Sequence, residues 1–155
     1  MSPKLFPIRD GVTFVQRVPS SSKRLLPFFG TRLRAGFPSP ADDYIEGKID
    51  LNKYLVQHEA ATFLVRIDGD SMTGAGIFPG DIAIVDRSLV TPDIQGMNGK
   101  IVLAVLDGEF TIKRLCVKGR TVSLVPENDK YQPIPVSQGS DFTIWGVVKH
   151  SIRHF

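Results

Sequence analysis

The sequence predicts a mainly β domain with one short helix and an extended N-terminal arm. Short segments rich in Val, Ile, Phe and Thr follow one another from residue 62 onward, turn-forming residues separate them, and prolines interrupt the first 40 residues. A chain of 155 residues, 42% of them hydrophobic, has room for one core of ordinary size, since domains usually contain about 100 to 150 residues. We therefore expect one domain with one appendage.

The arm differs from the rest of the chain in regularity and in charge. Its prolines favour extended chain over helix. Residues 1–35 carry a net charge of +6 and the whole chain carries +3, so residues 36–155 carry −3. Both a solvated tail and a weak, salt-dependent contact with a polyanion fit this charge. Because Leu25, Leu26 and Phe28 are too apolar for a pure linker, we expect the arm to dock on the folded body.

The regular elements follow the arm. Asp50 is a good N-cap for a short helix over residues 51–58. The predicted strands, all rich in β-branched and aromatic residues, are 62–67, 81–86, 100–106, 109–117, 121–125 and 142–149. Asp107-Gly108 is typical of a two-residue type I′ turn, which needs positive φ at both central positions. Residues 100–117 are therefore predicted to form a hairpin.

Several classes of protein are disfavoured by composition. No stretch approaches the roughly 20 apolar residues of a membrane span, and residues 1–10 lack the apolar core of a signal peptide. Cys116 is the single cysteine, and no Cys/His cluster has the spacing of a zinc site. We expect a cytoplasmic protein with no membrane contact, no metal and no cofactor.

A candidate nucleophile lies just after the first strand of the domain. Residues 68–80 contain four glycines, which allow a ligand's backbone to come close. A serine on such a turn can present its hydroxyl while neighbouring backbone N–H groups point the same way, as an oxyanion hole requires. Ser71 is therefore a candidate, although a turn capped by Asp70 or Ser71 explains the segment equally well.

A serine nucleophile needs a base, and the histidines are poorly placed for that task. His58 ends the predicted helix, whereas His150 and His154 fall in a charged tail. The i, i+4 spacing of the last two permits metal binding on a helix, but two ligands in an end segment rarely make a site.

Lys113, in the middle of the second hairpin strand, is the alternative base. It shares a strand face with Thr111 and Leu115, so partial burial is compatible with the pattern, and so is the solvent-facing position of an ordinary mid-strand lysine. A protonated amine cannot accept the serine's proton. Lys113 can therefore act as a base only in a dry, apolar site that disfavours the charged amine.

Taken together, these motifs resemble the self-cleaving domain of LexA, phage repressors and UmuD, and the match to UmuD is the closest. The resemblance covers roughly residues 35–150. The matching segments are Gly69-Asp70-Ser71-Met72, Gly80-Asp81 with the strand after it, Asp107-Gly108-Glu109-Phe110-Thr111-Ile112-Lys113, and Ala35-Gly36-Phe37-Pro38-Ser39-Pro40 with the stretch after it. The fold that it implies is a compact LexA/UmuD-like β domain.

The resemblance implies a role for each matching position. Ser71 would be the nucleophile and Lys113 the general base, and the N–H groups of Ser71 and Met72 would form the oxyanion hole. The bond between Ala35 and Gly36 would be the one that the chain cuts in itself. Gly36 has no side chain to obstruct attack, and Ala35 needs only a small pocket. The arm, 1–35, would be removed, and 36–155 would be the peptidase and dimerisation domain.

The resemblance also implies partners. A RecA filament on single-stranded DNA would stimulate cleavage during the SOS response. The shortened product would act as a homodimer with an error-prone, UmuC-like DNA polymerase subunit in translesion synthesis. Direct DNA binding is expected to be absent, or weak and due to the basic arm.

Two departures and three alternatives accompany this expectation. Residues 87–100 form a longer loop than UmuD has, and the +6 charge of the arm has no counterpart that we attribute to the family. A LexA-like repressor would need a helix-turn-helix domain ahead of the cleavage site, which 35 proline-punctuated residues do not supply. A signal peptidase would need a membrane anchor. A binding module with an inert serine site stays open.

Overall fold

The computed structural model describes residues 12–17, 23, 25–29 and 45–155. The chain divides into two compact units. One comprises Met1–Val18 with His58–Phe155, and the other comprises Pro19–Gln57.

Strands dominate the described residues, and the predicted mainly β fold is confirmed. In chain order they are β1 Val12–Arg17, β2 Leu25–Phe29, β3 Ile45–Asp50, β4 Thr62–Ile67, β5 Ile82–Asp86, β6 Ile101–Leu106, β7 Glu109–Lys118, β8 Thr121–Val125, β9 Ile134–Val136 and β10 Phe142–Ile152. The helix α1 is Leu51–Leu55, and 3-10 turns lie at Glu59–Ala61, Thr73–Ala75, Arg87–Leu89 and Gln95–Met97.

Eight strands of the first unit form one antiparallel sheet in the order β1-β4-β5-β10-β6-β7-β8-β9. Successive side chains of a strand point to opposite faces. Accordingly Leu103 packs in one hydrophobic cluster with Val65 and Phe110, while its neighbour Val102 packs in a second cluster with Leu115. The sheet therefore buries apolar side chains on both faces, and β7 contributes side chains to both clusters.

The predicted hairpin over residues 100–117 is confirmed. Asp107 and Gly108 have φ of 51° and 83°, as a type I′ turn requires. The register of β6 and β7 places Lys113 opposite Val102, in the interior of the sheet.

The second unit contains the β2–β3 pair and α1. The Asp50 carboxylate accepts a hydrogen bond from Asn52 N at 3.0 Å, which confirms the predicted N-cap. The helix ends at Leu55, short of the predicted residue 58, and none of its residues is buried. A single helical turn cannot be maintained by propensity alone, so its stability depends on the cap and on the strand before it.

The proline-rich arm contains two strands that local patterns did not predict. β1 pairs with β4 at the edge of the large sheet, and β2 pairs with β3. Leu25, Leu26 and Phe28 remain 56%, 46% and 50% exposed, so the burial expected for these three side chains is not observed.

Two further segments differ from expectation. β10 continues to Ile152, so His150 lies on a strand opposite Ile84 and the helical spacing considered for His150 and His154 does not apply. Residues 87–100, expected as a loop, contain two 3-10 turns and bury Met97 completely.

Candidate active site

The Ser71 turn begins where β4 leaves the sheet. Residues 68–70 follow the strand, Ser71 and Met72 form a turn, and the 3-10 turn Thr73–Ala75 comes next. Met72 anchors the segment because its side chain is 3% exposed and packs in the core with Val65 and Ile77. Gly76, with φ of 80°, ends the 3-10 turn in a left-handed conformation that favours glycine. The turn is therefore fixed at both ends.

A second segment, residues 127–131, clamps the Ser71 turn from the side. Glu127 N donates to Ser71 O at 2.8 Å, and Gly74 N donates to Glu127 O at 2.6 Å. Asn128 Nδ2 donates to Asp70 O at 2.9 Å, and the Tyr131 hydroxyl bonds the Asp70 carboxylate. These contacts fix the backbone on both sides of Ser71. Sequence patterns gave no indication of them, because they join residues more than 50 positions apart.

The Ser71 and Met72 amides are oriented by this arrangement. The peptide groups that carry these two N–H groups are held by their carbonyls, since Asp70 O accepts from Asn128 Nδ2 and Thr73 N, and Ser71 O accepts from Glu127 N. Within the described part of the chain, neither the Ser71 N–H nor the Met72 N–H donates to a backbone carbonyl. Two such donors on one turn are the components from which an oxyanion hole is made.

Lys113 reaches the Ser71 turn from β7. Its side chain is 2% exposed, and Ser71 is 5% exposed. Lys113 Nζ lies 3.0 Å from Ser71 Oγ, 2.8 Å from Thr111 Oγ1 and 3.1 Å from Ile112 O. The sequence was compatible with either a buried or a solvent-facing Lys113, and the structure shows that the side chain is buried.

The far end of the Ser71 segment is held by a buried carboxylate. Asp81, 1% exposed, accepts from Arg153 Nε and Nη2 at 2.8 Å, from Phe78 N at 2.9 Å and from Ser151 Oγ at 2.9 Å. The Arg153 hydrogen bond, aided by the other donors and opposed by burial, lowers the pKa of Asp81 to about 2. Arg153 also donates to Gly76 O at 2.9 Å, so one guanidinium links the carboxylate to the end of the Ser71 segment.

His58, the histidine nearest in sequence to Ser71, is engaged elsewhere. Its Nδ1 lies 2.7 Å from Asp86 Oδ2. Burial raises the pKa of Asp86, but hydrogen bonds from Ser88 and His58 outweigh that effect and hold the pKa below its ordinary value. His58 is therefore paired with Asp86, the last residue of β5.

The structure brings two of the predicted site residues into direct contact and leaves two untested. Ser71 and Lys113, distant in sequence, are hydrogen-bonded neighbours, and Met72 sits beside them on the turn. Ala35 and Gly36 lie outside the described residues. No group of three His, Cys, Asp or Glu side chains able to hold a metal occurs among the residues that the structure describes. None of the described helices is long and apolar enough to cross a membrane.

Comparison with known proteins agrees with this geometry. A family model described as Peptidase S24-like matches residues 27–149. The chain belongs to the Peptidase S24-like family. Among curated proteins, SamA of Salmonella typhimurium strain LT2 is 46% identical over 122 residues, which cover 79% of this chain and 81% of SamA.

Two further relatives support the assignment. ImpA of Escherichia coli is 43% identical over 127 residues, covering 82% of this chain and 83% of ImpA. MucA of Escherichia coli is 39% identical over 128 residues, covering 82% of this chain and 84% of MucA. The resemblance to UmuD-type proteins is thereby confirmed, and the chain is a self-cleaving serine peptidase of SOS mutagenesis.

Proposed function

We propose that Ser71 and Lys113 are the nucleophile and general base of this peptidase and that its substrate is its own Ala35–Gly36 bond. The observation that carries the proposal is the contact of 3.0 Å between Lys113 Nζ and Ser71 Oγ, made by two buried side chains. A serine hydroxyl is a weak nucleophile without a base within hydrogen-bonding distance. In the described part of the chain, the Lys113 amine lies within that distance of the Ser71 hydroxyl.

The neighbours of Lys113 suit a neutral amine that acts as a base. A neutral primary amine has two N–H donors and one lone pair. Thr111 Oγ1 and Ile112 O are placed to accept the two hydrogens, and Ser71 Oγ, at 3.0 Å from Nζ, is placed to give its proton to the lone pair. The Ser71 and Lys113 side chains are both buried, so the pair lies away from bulk water.

Cleavage then proceeds in two steps. In the first, Ser71 Oγ attacks the Ala35 carbonyl carbon as its proton passes to Lys113 Nζ, and the tetrahedral oxyanion is bound by the N–H groups of Ser71 and Met72. Lys113 gives the proton to the departing Gly36 amine. In the second, Lys113 takes a proton from water, the hydroxide hydrolyses the Ser71 ester, and Ser71 recovers its proton.

The β2–β3 pair supports a substrate in the chain itself. The register places Phe29 opposite Ile45, so residues 30–44 form the connection between two paired strands. This connection contains Ala35–Gly36. Hydrolysis there separates residues 1–35 from residues 36–155.

In the cell, we place this reaction in the cytoplasm under the control of a RecA filament on single-stranded DNA. Binding of the filament would favour the conformation in which the 30–44 connection occupies the site, and a ligand that prefers one conformation raises its population. The 36–155 product would act as a homodimer with an error-prone, UmuC-like DNA polymerase subunit. The membership of the chain in the UmuD-type family supports this proposal of partners.

The test of the cleavage site is the mass of the fragments. The purified chain is incubated at about pH 10, where an amine is more readily deprotonated, and the products are weighed by mass spectrometry. We expect two fragments, 1–35 and 36–155, and none from Ser71→Ala. A different cut, or the same cut in Ser71→Ala, would refute the assignment. Adding RecA, single-stranded DNA and ATP near pH 7 should accelerate the same cut, and an unchanged rate would remove RecA from the account.

A further inference from the structure

The N-terminal segment of the chain is the outermost strand of the large sheet. β1 lies antiparallel to β4, with Val12 opposite Ile67 and Arg17 opposite Phe63, and the register shifts once between Phe14 and Gln16. β4 pairs on its other side with β5. β1 is therefore the element that satisfies the outer backbone groups of β4.

The two edges of this sheet are built differently. The opposite edge strand, β9, has three residues and contains Pro135, and shortness and proline are both features that discourage pairing with another strand. β4 has six residues, Thr62–Ile67, and none is proline. Its core-facing residues Val65 and Ile67 are buried. Without β1, the sheet would present a regular, unprotected edge, which is a template for strand addition.

Cleavage changes how β1 is attached. If the chain is cut at Ala35–Gly36, as the proposed function holds, β1 and β2 both belong to the fragment 1–35, while β4 and β3 belong to 36–155. We propose that the outer edge of β4 is a strand-binding site whose resident ligand is the chain's own β1, held covalently before the cut and exchangeable after it. Hydrolysis and release of the arm are then separate steps.

The physical basis is the loss of effective concentration. A strand tethered by a short linker rebinds at a local concentration in the millimolar range, whereas a free fragment rebinds at its solution concentration. Residues 18–61 join β1 to β4, so the strand is covalently tied to its site in the intact chain. After hydrolysis, occupancy of the β4 edge becomes dependent on dilution, and the exposed backbone N–H and C=O groups accept an extended segment in the antiparallel sense of β1.

Hydrogen exchange measures the occupancy of this edge. In a Ser71→Ala chain, a recognition sequence for an added site-specific protease replaces part of residues 30–44, so that the cut does not depend on the proposed chemistry. We expect native mass spectrometry at tens of micromolar to find fragment 1–35 still bound to the cut protein. After dilution to nanomolar concentration, we expect the fragment to leave and the β4 amides that face β1 to exchange at least about tenfold faster. A synthetic peptide of residues 10–19 should restore protection, and the same peptide with Phe14→Pro should not.

A second variant needs no cut. Phe14→Pro in the intact chain should accelerate exchange of the same β4 amides and leave those of β7 unchanged. Leu26→Pro, which alters β2, is the matched control and should leave β4 protected. Immediate loss of the fragment at every concentration, failure of the peptide to bind, or unchanged β4 exchange in Phe14→Pro would overturn the proposal. Failure of the native chain to cut itself would instead count against the proposed function alone.

Discussion

Lys113 is a long basic side chain in a position where apolar residues are the rule. At 2% exposure it is the largest fully buried side chain among the described residues, and Ile112 and Leu115 on the same strand belong to the two hydrophobic clusters. Burying an amine costs free energy unless its hydrogens have acceptors, and the contacts with Thr111 and Ser71 lower that cost. A residue retained at such a cost is a candidate for function.

The first prediction concerns the free-energy cost of burying the Lys113 amine. Lys113→Met keeps most of the side-chain volume and removes the polar group, so we expect a folded protein whose free energy of unfolding is equal to that of the parent or about 1 kcal/mol higher. Urea unfolding at pH 7 measures the difference. Lys118→Met, at the exposed end of the same strand, is the control and should change stability by less than about 0.5 kcal/mol. A loss of several kcal/mol in Lys113→Met would show that the amine is structural.

The second prediction concerns Gly74, where a close approach of backbone excludes a side chain. A Cβ on Gly74 would lie 2.5 Å from Glu127 O, so one of the two segments must move. We expect Gly74→Ala to lower stability by about 1 to 3 kcal/mol and to slow self-cleavage, since the same contact holds the Ser71 turn. Gly139→Ala, which meets nothing within 4 Å, is the control. Equal cleavage rates in the two variants would contradict the positioning role of the clamp.

At the scale of elements, β4 to β8 and β10 were predictable from their β-forming residues, and β1, β2, β3 and β9 were not. β4 and β8 have the predicted bounds, and the β6–β7 hairpin was fixed by Asp107-Gly108. β2 and β9 contain Pro27 and Pro135, and proline argues against a strand when only local sequence is considered. β1 is rich in β-forming residues, but it lies in the proline-interrupted arm and its partner β4 is more than 40 residues away, so the strand is evident only from the pairing.

The candidate site also contains some features that the sequence predicted and others that it did not. Ser71 and Lys113 were proposed from the sequence, because a glycine-rich turn and a strand lysine have recognisable patterns. The clamp by Glu127, Asn128 and Tyr131 was missed, since tertiary contacts between irregular segments leave no periodic signal. The buried Asp81 with Arg153 was missed for the same reason.

The third prediction concerns the ion pair between Asp81, just before β5, and Arg153, just after β10. The pKa of Asp81 is about 2 in the folded protein against an ordinary value of 3.8, so the pair stabilises the fold at pH above 3.8, and this contribution is lost as the pH falls through about 2. The difference corresponds to about 2 kcal/mol. We expect Arg153→Gln to lower the free energy of unfolding at pH 7, and by progressively less between pH 4 and pH 2.

Urea unfolding across this pH range checks the prediction. Arg120→Gln, at an exposed turn, is the control and should give curves parallel to those of the parent protein. A deficit in Arg153→Gln that stays constant from pH 7 to pH 2 would mean that the arginine stabilises by packing on Phe78 rather than through the carboxylate.

At the scale of the whole molecule, the proposed cut divides the chain into a positively charged arm and a negatively charged domain. The chain carries +3, and without residues 1–35 it carries −3. Attraction to a polyanion depends on such charge and falls with salt. We therefore predict that the intact chain binds single-stranded DNA weakly at 50 mM salt, and that the 36–155 product, freed of its arm fragment, loses this binding. Fluorescence anisotropy between 50 and 200 mM salt measures both, and an identical salt dependence before and after cleavage would eliminate the charge switch.

The proposed chemistry of Ser71 and Lys113 is tested most directly by the rate of self-cleavage as a function of pH. If Lys113 is the base, the rate should rise with pH, because only a deprotonated amine accepts the serine's proton. Lys113→Met should show no cleavage at any pH, while Lys118→Met should follow the parent curve. A rate that does not change with pH, or a cut at Ala35–Gly36 that persists in Lys113→Met, would contradict the account.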